Sequence, residues 1–376
     1  MPPTDNGSDK LNRFQAAFER GQKGNVGSFD IWLEEHGFIP ERVDRDAVTQ
    51  YFQEHPDATS NHQDSLETIG EYTGFGINQS GVYHLPLIGP SGIGKTQLLH
   101  TVLHLLPEID ADIESRLFDA RRFGEKTDDE INLFELEDRV EEISALERPI
   151  VCIDDFDRDG RVGRSLSAFE DASDNALYIT AWSPEGYAFN REEIEEALPA
   201  SKEVYLEPLS EADTVAAVRA IYDYLADEAP EADRDAEQRI CELSHGIPGI
   251  VVLLTLHALR EAFMKEFEQG SCESVEAAGE RIQLPNALDR IYDLSDSKME
   301  ILRWILLSLD DRGRSPGDLV DKLDRDKSTI SYHLSTLSDE GLVESQREGR
   351  HAYYQVTEAV KPLVQLRLNK EAEFNA

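Results

Sequence analysis

The sequence predicts an α/β protein with a three-layer core around a parallel sheet, a helical lid and a winged helix-turn-helix at the C-terminal end. Three observations support this prediction. From Val82 onward, short apolar runs alternate with longer segments of helical periodicity, as in chains that wind around a parallel sheet. After Pro208 helical patterns replace the strand-like runs. From Ser295, three helical segments and two alternating strands form a compact unit.

The chain of 376 residues is long enough for two or three domains, because a single core rarely grows beyond about 250 residues. We expect four regions, at residues 1–64, 65–208, 209–294 and 295–376. The first is polar with short amphipathic stretches, and it is predicted to be helical or partly disordered. The other three are predicted to be the sheet-containing core, the helical lid with a connector, and the winged-helix unit.

The composition is strongly acidic. Acidic residues outnumber basic ones by 76 to 37, which gives a formal net charge of -39 at pH 7. Such a charge repels itself in dilute buffer, and concentrated salt screens the repulsion because the Debye length falls to about 3 Å at 1 M. The composition therefore favours a protein from a halophilic archaeon, over the alternative of an ordinary acidic protein. Since nucleic acids bind basic surfaces, local motifs must decide whether DNA is a partner.

Cysteine usage and hydropathy indicate a cytoplasmic protein. Cys152, Cys241 and Cys272 are isolated thiols without the spacing of a disulfide framework or a zinc site. The N-terminal segment lacks the apolar core of a signal peptide, and no window approaches the roughly 18 apolar residues of a spanning helix. We therefore expect a reducing compartment and no membrane partner.

The elements of the core and lid can be placed in order from hydrophobic periodicity. Strands are predicted near residues 82–88, 116–119, 150–153, 176–182 and 203–206. Helices are predicted at 97–106 and 129–146 in the core, and at 211–226, 233–244 and 248–268 in the lid. Residues 270–294 have a weaker pattern and are predicted to be a connector.

The first strand runs into a glycine-rich loop that matches GxxxxGK[ST], and a helical segment follows the loop. This P-loop consists of Gly89, Pro90, Ser91, Gly92, Ile93, Gly94, Lys95 and Thr96. Its glycines let backbone N–H groups turn toward phosphate oxygens, and the start of the helix adds partial positive charge. Lys95 is expected to reach the β- and γ-phosphates and Thr96 to offer its hydroxyl to Mg²⁺. The loop therefore predicts ATP and Mg²⁺ as cofactors.

A second motif carries paired carboxylates. The apolar run 149–153 ends in Asp154 and Asp155, and this pattern resembles a Walker B motif. A parallel strand beside the P-loop strand would bring Asp154 to the Mg²⁺ shell and Asp155 to a water near the γ-phosphate, as general base or water-positioning group. The alternative is an acidic surface turn, because the residues that follow are themselves turn-like.

Together the two motifs resemble those of the additional-strand P-loop ATPases, namely the AAA+ ATPases and the related STAND NTPases, over roughly residues 65–270. The resemblance implies a nucleotide held between core and lid. It implies a polar sensor of the γ-phosphate at the end of strand 176–182, for which Ser183 or Thr180 is the candidate. The segment His245 to Gly249 resembles the GxP element of STAND proteins, so Pro248 would contact the nucleotide base. Its alternative role is a helix break with proline in the first turn of the next helix.

The sequence departs from these families at two positions. Lys202 occupies the place nearest to a usual arginine finger, and a lysine is a point charge rather than a planar fork. The sensor arginine usual in origin-recognition initiators is missing near Pro248, and Arg260 is the next candidate. The order of core, lid and winged helix nevertheless resembles archaeal origin-recognition initiators as closely as STAND proteins.

Residues 295–360 form a compact pattern of three helices and a β-hairpin. Within it, the run from Lys327 to Val343, with Ile330, Leu334 and Leu337 on its apolar face, resembles the recognition helix and following turn of ArsR- and MarR-like winged-helix domains. Ser315 with Pro316 is expected to open the second helix and Ser328 the third, which would be the recognition helix, with the wing at 343–356. The side chains expected to contact DNA are Lys327, Ser328, Thr329, Ser331, Tyr332, His333, Arg347 and Arg350. This region holds 9 basic and 13 acidic residues, so its acidic excess is weak, and double-stranded DNA is the expected partner. The alternative is a winged helix that contacts only protein.

The motifs together predict an ATP-binding and ATP-hydrolysing switch protein of STAND or AAA+ type that binds DNA through its winged helix. Two alternatives remain at this point: an origin-recognition-type replication initiator, and an ATP-sensing transcription regulator with little turnover. A mobile-element or antiviral-defence ATPase would have the same sequence features. A homo-oligomer or a protein partner is compatible with each of these functions.

Overall fold

The computed structural model describes residues 28–58, 62–109, 113–121, 126–127, 130–131, 133–158, 161–226, 232–310, 312–349 and 351–375. The helices of the N-terminal region and core are α1 (Ser28–Glu35), α2 (Arg45–Glu54), α3 (Gln63–Asn78), α4 (Lys95–Ile109), α5 (Leu133–Ser144), α6 (Val162–Ala172) and α7 (Pro184–Ala197). Those that follow are α8 (Glu211–Leu225), α9 (Arg234–Ser244), α10 (Pro248–Lys265), α11 (Cys272–Arg281), α12 (Ala287–Tyr292), α13 (Asp296–Leu306), α14 (Pro316–Leu323), α15 (Lys327–Asp339) and α16 (Lys361–Asn375). The strands are β1 (Gly81–Ile88), β2 (Ser115–Asp119), β3 (Lys126–Thr127), β4 (Glu130–Ile131), β5 (Ile150–Asp154), β6 (Asn175–Trp182), β7 (Val204–Tyr205), β8 (Val343–Glu348) and β9 (His351–Val356). None of the helices in these ranges is long and apolar enough to span a membrane.

Five parallel strands form the central sheet in the order β2-β5-β6-β1-β7. The α/β class and the parallel core are therefore as predicted. The P-loop strand β1 is not directly beside β5, as the sequence had suggested, because β6 lies between them. Since all five strands are parallel, their carboxyl ends lie at one edge of the sheet, and the chain segments after β1, β2, β5 and β6 meet there.

Side chains alternate across the sheet and fill two apolar clusters, one on each face. In β1, Leu85 and Leu87 belong to the larger cluster and Ile88 to the smaller one. Helices α5, α6 and α7 cover the smaller cluster. The larger cluster is continuous through α4, the N-terminal helices, the lid and the winged-helix unit. One uninterrupted apolar core therefore joins the ATP-motif region to the C-terminal unit.

The described N-terminal residues are helical and packed, rather than an extended arm. Leu33, Val48, Phe52 and Ile69 are buried in the larger cluster. The predicted amphipathic stretch within residues 1–27 lies outside the described residues. The predicted boundary between residues 64 and 65 falls inside α3.

Two segments of the core and lid differ from their predicted secondary structure. The segment 270–294, predicted to be a connector, contains α11, which packs against α9 and α10 of the lid, and α12. The packing face of α11 is built largely from small side chains such as Ala278, and Gly279 lies against Leu243, so its apolar periodicity is weak in the sequence. The helix expected at 129–146 is shorter, because the antiparallel pair β3 and β4 precedes α5.

The C-terminal unit contains α13, α14, α15 and the antiparallel hairpin β8–β9, which together form the predicted winged helix. Ser315 begins α14 through a capping box with Asp318. The expectation that Ser328 opens the third helix was wrong: Asp326 is the N-cap of α15, and its carboxylate accepts from the Thr329 N–H. A carboxylate satisfies the free N–H groups of a first turn at least as well as a hydroxyl, so the helix starts earlier.

Sequence reasoning did not foresee α16, which follows the wing. Its side chains from Pro362 to Leu366 are all buried. A helix buried on every side lacks the polar stripe by which periodicity is recognised. It packs against α7 of the core and against α12.

Candidate nucleotide site and DNA-recognition surface

The P-loop adopts a backbone that requires its glycines. Gly92 and Gly94 have φ angles of 72° and 112°, in the region that side chains disfavour. The lid contacts this loop directly, since the Gly249 N–H donates to the Gly92 carbonyl at 2.8 Å. A Cβ on Gly92 would lie 3.1 Å from the Cα of Gly249. The loop is therefore held between β1 and the first turn of α10, which Pro248 begins.

Lys95 begins α4 and folds over the loop. Its Nζ donates to the carbonyls of Gly89 and Pro90 at 2.6 and 2.9 Å. Burial lowers the pKa of Lys95, and nearby carboxylates oppose this effect, with Asp157 the largest and Asp154 next. The ammonium group is thus a buried cation that faces several anions.

Thr96 and Asp154 meet across the sheet edge, although they lie far apart in the chain. The Thr96 hydroxyl donates to Asp154 Oδ2 at 2.6 Å. Both are oxygen donors of the kind that Mg²⁺ prefers, and both were predicted as its ligands. The donor set and the P-loop backbone therefore fit a nucleotide with Mg²⁺.

Asp155 follows directly and has an unusual backbone. Its φ angle is 50°, and its N–H donates to Asp154 Oδ1 at 3.0 Å. A positive φ in a residue other than glycine is uncommon and re-aims the side chain away from the strand direction. Burial raises the pKa of Asp155, and the neighbouring Asp154 raises it further. The charges of Arg121 and Lys95 oppose this rise.

Arg121 is a site residue that sequence reasoning missed. It pairs with Asp119, at the end of β2, through Nε and Nη2 at 2.9 and 2.8 Å, and its Nε lies 3.3 Å from Asp155 Oδ2. Hydrogen bonding to Asp119 raises the pKa of Arg121, so its charge is permanent. Its signal in the sequence was its place just after a strand whose carboxyl end belongs to the same edge.

The proposed sensor residues have structural partners. Ser183 caps α7 by accepting from the Gly186 N–H at 3.1 Å, and its hydroxyl donates to Asp157 Oδ2 at 2.7 Å. Thr180 is fully buried and accepts from Trp182 Nε1 at 2.7 Å. Ser183 therefore lies at the functional edge, next to an aspartate that faces Lys95, while Thr180 lies inside the sheet.

The candidates for the arginine-finger and sensor-arginine positions are Lys202 and Arg260. Lys202 is exposed, between α7 and β7. The guanidinium of Arg260 lies over the ring of Phe29, with its Cζ 5.6 Å from the ring centroid. Arg260 thus contacts α1 from the lid helix.

Glu185 and Gln365 are two further residues that the sequence did not suggest. Glu185 lies in the first turn of α7 with only 4% of its surface exposed, and burial raises the pKa of its carboxyl group. Gln365 of α16 is equally buried and reaches the P-loop, where its Oε1 accepts from the Ser91 N–H at 2.7 Å. No local motif could have indicated a contact between residues so far apart in the chain.

The predicted recognition helix presents a polar face to solvent. Lys327, Ser328, Ser331 and Tyr332 are exposed, the tyrosine by 67%. The remaining predicted side chains on this helix, Thr329 and His333, are partly exposed. Helix α15 is therefore accessible for a groove of DNA along the face that the sequence predicted.

Asp326 changes the chemistry at the front of this face. It accepts hydrogen bonds from the hydroxyls of Ser328 and Thr329, the latter at 2.6 Å. These bonds hold the pKa of Asp326 far below its usual range, so it is charged at any ordinary pH. The two hydroxyls assigned to DNA are thus engaged with an anion.

The wing carries one predicted contact within the described residues. Arg347 is exposed on β8, and Arg350 lies outside the described residues. Arg312, which sequence reasoning missed, pairs with Asp310 at 2.7 Å and with Glu348 of the wing at 2.5 Å. It therefore fixes the wing to the turn before α14.

Comparisons with known proteins give a family match in the C-terminal region and a set of similar solved structures. The family model described as "Bacterial regulatory protein, arsR family", a helix-turn-helix model, matches residues 303–345. No curated protein matched the sequence. Similar solved structures include the ORC1 protein of Aeropyrum pernix in complex with DNA, at 18% identity, with 84% of this chain and 94% of that chain covered and a TM-score of 0.45. The ORC2 protein of the same organism, in ADPNP-ADP complexes, has 14% identity over 81% and 94% of the chains and a TM-score of 0.47. The RuvB Holliday junction branch migration motor of Thermotoga maritima has 16% identity over 79% and 93% and a TM-score of 0.45.

Proposed function

We propose that the protein is an ATP-binding and ATP-hydrolysing switch that binds double-stranded DNA through its winged helix. The observation that carries the nucleotide site is the 2.6 Å hydrogen bond between Thr96 and Asp154, made at the start of a helix that follows a P-loop. Thr96 of α4 and Asp154 at the end of β5 meet there in the arrangement that a phosphate-bound Mg²⁺ requires. The family match at 303–345 supports the DNA-binding half.

Each residue of the site has a definite task in this proposal. Thr96 and Asp154 would hold Mg²⁺, which would supply positive charge that neutralises phosphate oxygens. Lys95 exchanges its two carbonyl partners for phosphate oxygens. Asp155 orients the attacking water and accepts its proton. Arg121 fixes the direction of the Asp155 carboxylate.

The lid and the winged helix provide the switch. The P-loop touches α10 through the bond between Gly249 and Gly92, so a nucleotide at the loop acts on the lid position. The continuous apolar core carries any lid or core movement to the winged helix. A change of a few kcal/mol in relative stability is enough to alter which arrangement dominates.

An ATP-sensing regulator with little turnover is the second candidate function. One observation favours it: Lys202 stands nearest to the usual place of an arginine finger, and its point charge lacks the planar fork of an arginine. The replication-initiator alternative and the STAND assignment remain interpretations of the domain order and of Pro248. Self-association, a cytoplasmic location and a halophilic source also remain proposals.

The decisive experiment measures ATP binding and hydrolysis by the purified chain, with and without double-stranded DNA, at KCl concentrations from about 0.1 to 3 M. Lys95→Ala should lower hydrolysis at least about a hundredfold, because the phosphate loses its main cationic contact. Thr101→Ala is the control, since the Thr101 hydroxyl donates to the Gln97 carbonyl within the same helix. Turnover that Lys95→Ala leaves intact would overturn the proposed site, and tight ATP binding without turnover would favour the sensing regulator.

A further inference from the structure

Helix α16 joins the winged helix to the nucleotide site. Its apolar side chains, including Leu363 and Leu368, belong to the larger core cluster that also contains the P-loop residue Ile93. Arg367 of this helix donates through Nη1 to the Ile291 carbonyl of α12. Helix α16 therefore packs in the larger core cluster and also contacts α12.

A chain of hydrogen bonds runs from the P-loop through α16 to the core. The Ser91 N–H donates to Gln365 Oε1 at 2.7 Å, and Gln365 Nε2 donates to Glu185 Oε1 at 2.6 Å. Gln365 and Glu185 are 1% and 4% exposed. Both ends of one carboxamide are therefore committed to the site in a buried environment, where each such bond is costly to lose.

The hydrogen bonding of Glu185 at this junction is incomplete at its second carboxylate oxygen. Its Oε2 is buried and has no hydrogen-bond partner. Glu185 is also one of the carboxylates that act on Lys95. A buried polar atom without a partner is unfavourable, so an arrangement that gave Oε2 a donor or solvent would be stabilised relative to this one.

We propose that Gln365 is a nucleotide-site residue that competes with the ATP phosphates for the P-loop, so that ATP binding releases α16 and with it the winged helix. This inference rests on the proposed nucleotide site and specifies its regulation. The P-loop binds phosphate through its backbone N–H groups, and one of these is already bonded to the Gln365 carboxamide. Phosphate and Gln365 are therefore alternatives at the same loop.

Release has a mechanical consequence for the DNA-binding unit. Helix α16 directly follows the wing and packs on α7. Phe189 of α7 also contacts Trp304 of α13, with ring centroids 5.9 Å apart. When Gln365 leaves the loop, the packing of α16 and of Trp304 on α7 remains, without the hydrogen bonds that tie α16 to the P-loop and to Glu185. If ATP strengthens the binding of a ligand to the released winged helix by some factor, thermodynamic linkage requires that this ligand strengthens ATP binding by the same factor.

The test compares the affinity of adenylyl imidodiphosphate and of ADP for wild-type protein, Gln365→Met and Asn369→Leu. Gln365→Met keeps the length of the side chain but removes both hydrogen bonds, so both nucleotides should bind roughly fivefold more tightly, the effect of one ordinary hydrogen bond. Asn369 is buried one turn later on the same helix, and its Oδ1 has no partner, so Asn369→Leu is the matched control and should bind as wild type does. Equal or weaker nucleotide binding by Gln365→Met would overturn the proposal.

Hydrogen exchange over residues 361–375 gives a second readout. The analogue should lower protection of α16 in wild-type protein, and Gln365→Met should show lowered protection without nucleotide. If Gln365→Met does not fold, Gln365→Asn, which is too short to span both partners, replaces it with the same expectations. Hydrogen-exchange protection of α16 that changes neither with nucleotide nor with Gln365→Met would contradict the proposal that Gln365 holds α16 against the P-loop. Failure of wild-type protein to bind ATP would instead contradict the proposed function, so the two failures are distinguishable.

Discussion

The nucleotide site and the DNA-recognition surface were both expected from short motifs, yet they are built differently. In the nucleotide site, Thr96 is held by Asp154 from the end of β5, and Asp155 pairs with Arg121 that follows β2. On α15, the predicted side chains of Ser328 and Thr329 are held by their own helix start, through Asp326. The nucleotide site therefore depends on the whole fold, whereas the recognition surface depends on α15 and on the molecule that α15 contacts.

The two regions also place their charges differently. At the nucleotide site, partly buried Lys95 interacts electrostatically with four carboxyl groups, of which Asp157 has the largest effect. At the recognition surface, exposed Lys327 and Arg347 share the face with charged Asp326. Burial strengthens electrostatic effects in the first region, and solvent weakens them in the second. We therefore expect single substitutions to act strongly on ATP turnover and weakly on DNA binding.

The largest expected effect is that of substituting Asp155 on ATP hydrolysis. Asp155→Asn should lower ATP hydrolysis by about a hundredfold to ten-thousandfold while ATP affinity stays within a few-fold, because an amide cannot take up the proton of the attacking water. Phosphate release and equilibrium nucleotide binding, measured on the same preparation, check this. Asp171→Asn changes an exposed carboxylate of α6 and serves as the control. Normal turnover by Asp155→Asn would remove Asp155 from the mechanism and weaken the contrast between the two regions.

The predictable part of the molecule consists of local signals. A strand, a glycine loop and a helix in sequence fixed the positions of Lys95 and Thr96, and the apolar face of α15 followed from its periodicity. The class and strand positions of the sheet were predictable for the same reason. What periodicity could not show was that β6 lies between β1 and β5, because strand order depends on long-range packing.

The unpredicted residues are those that act across distance. Arg121 reaches Asp155 from an edge strand, and Gln365 reaches Ser91 from the last described helix. Each would look like an ordinary polar residue in its own segment. The buried helix α16 lacked an amphipathic pattern for a related reason: its neighbours on every side come from other parts of the chain.

A smaller effect is expected on the recognition surface. Combining Lys327→Ala with Arg347→Ala should weaken binding of mixed-sequence double-stranded DNA roughly tenfold and lower the slope of log affinity against log salt by about two, since two phosphate contacts are lost. Fluorescence anisotropy at several KCl concentrations measures both quantities. Lys370→Ala removes an exposed charge from α16 instead and should leave the slope unchanged. An unchanged slope in the double variant would mean that α15 and the wing do not face DNA.

The smallest expected effect separates charge from geometry at the front of α15. Asp326→Asn keeps an oxygen that can cap the helix, since asparagine caps as well as aspartate, but it removes a negative charge that the DNA phosphates would oppose. DNA affinity should therefore rise about threefold at low salt, and the gain should vanish in concentrated KCl. Asp339→Asn removes the same charge from the opposite end of the helix, about 20 Å away, and should have less effect. Equal gains for both variants would show that only net charge matters, whereas a gain specific to Asp326 would place the front of α15 against DNA and make the recognition surface as residue-specific as the nucleotide site.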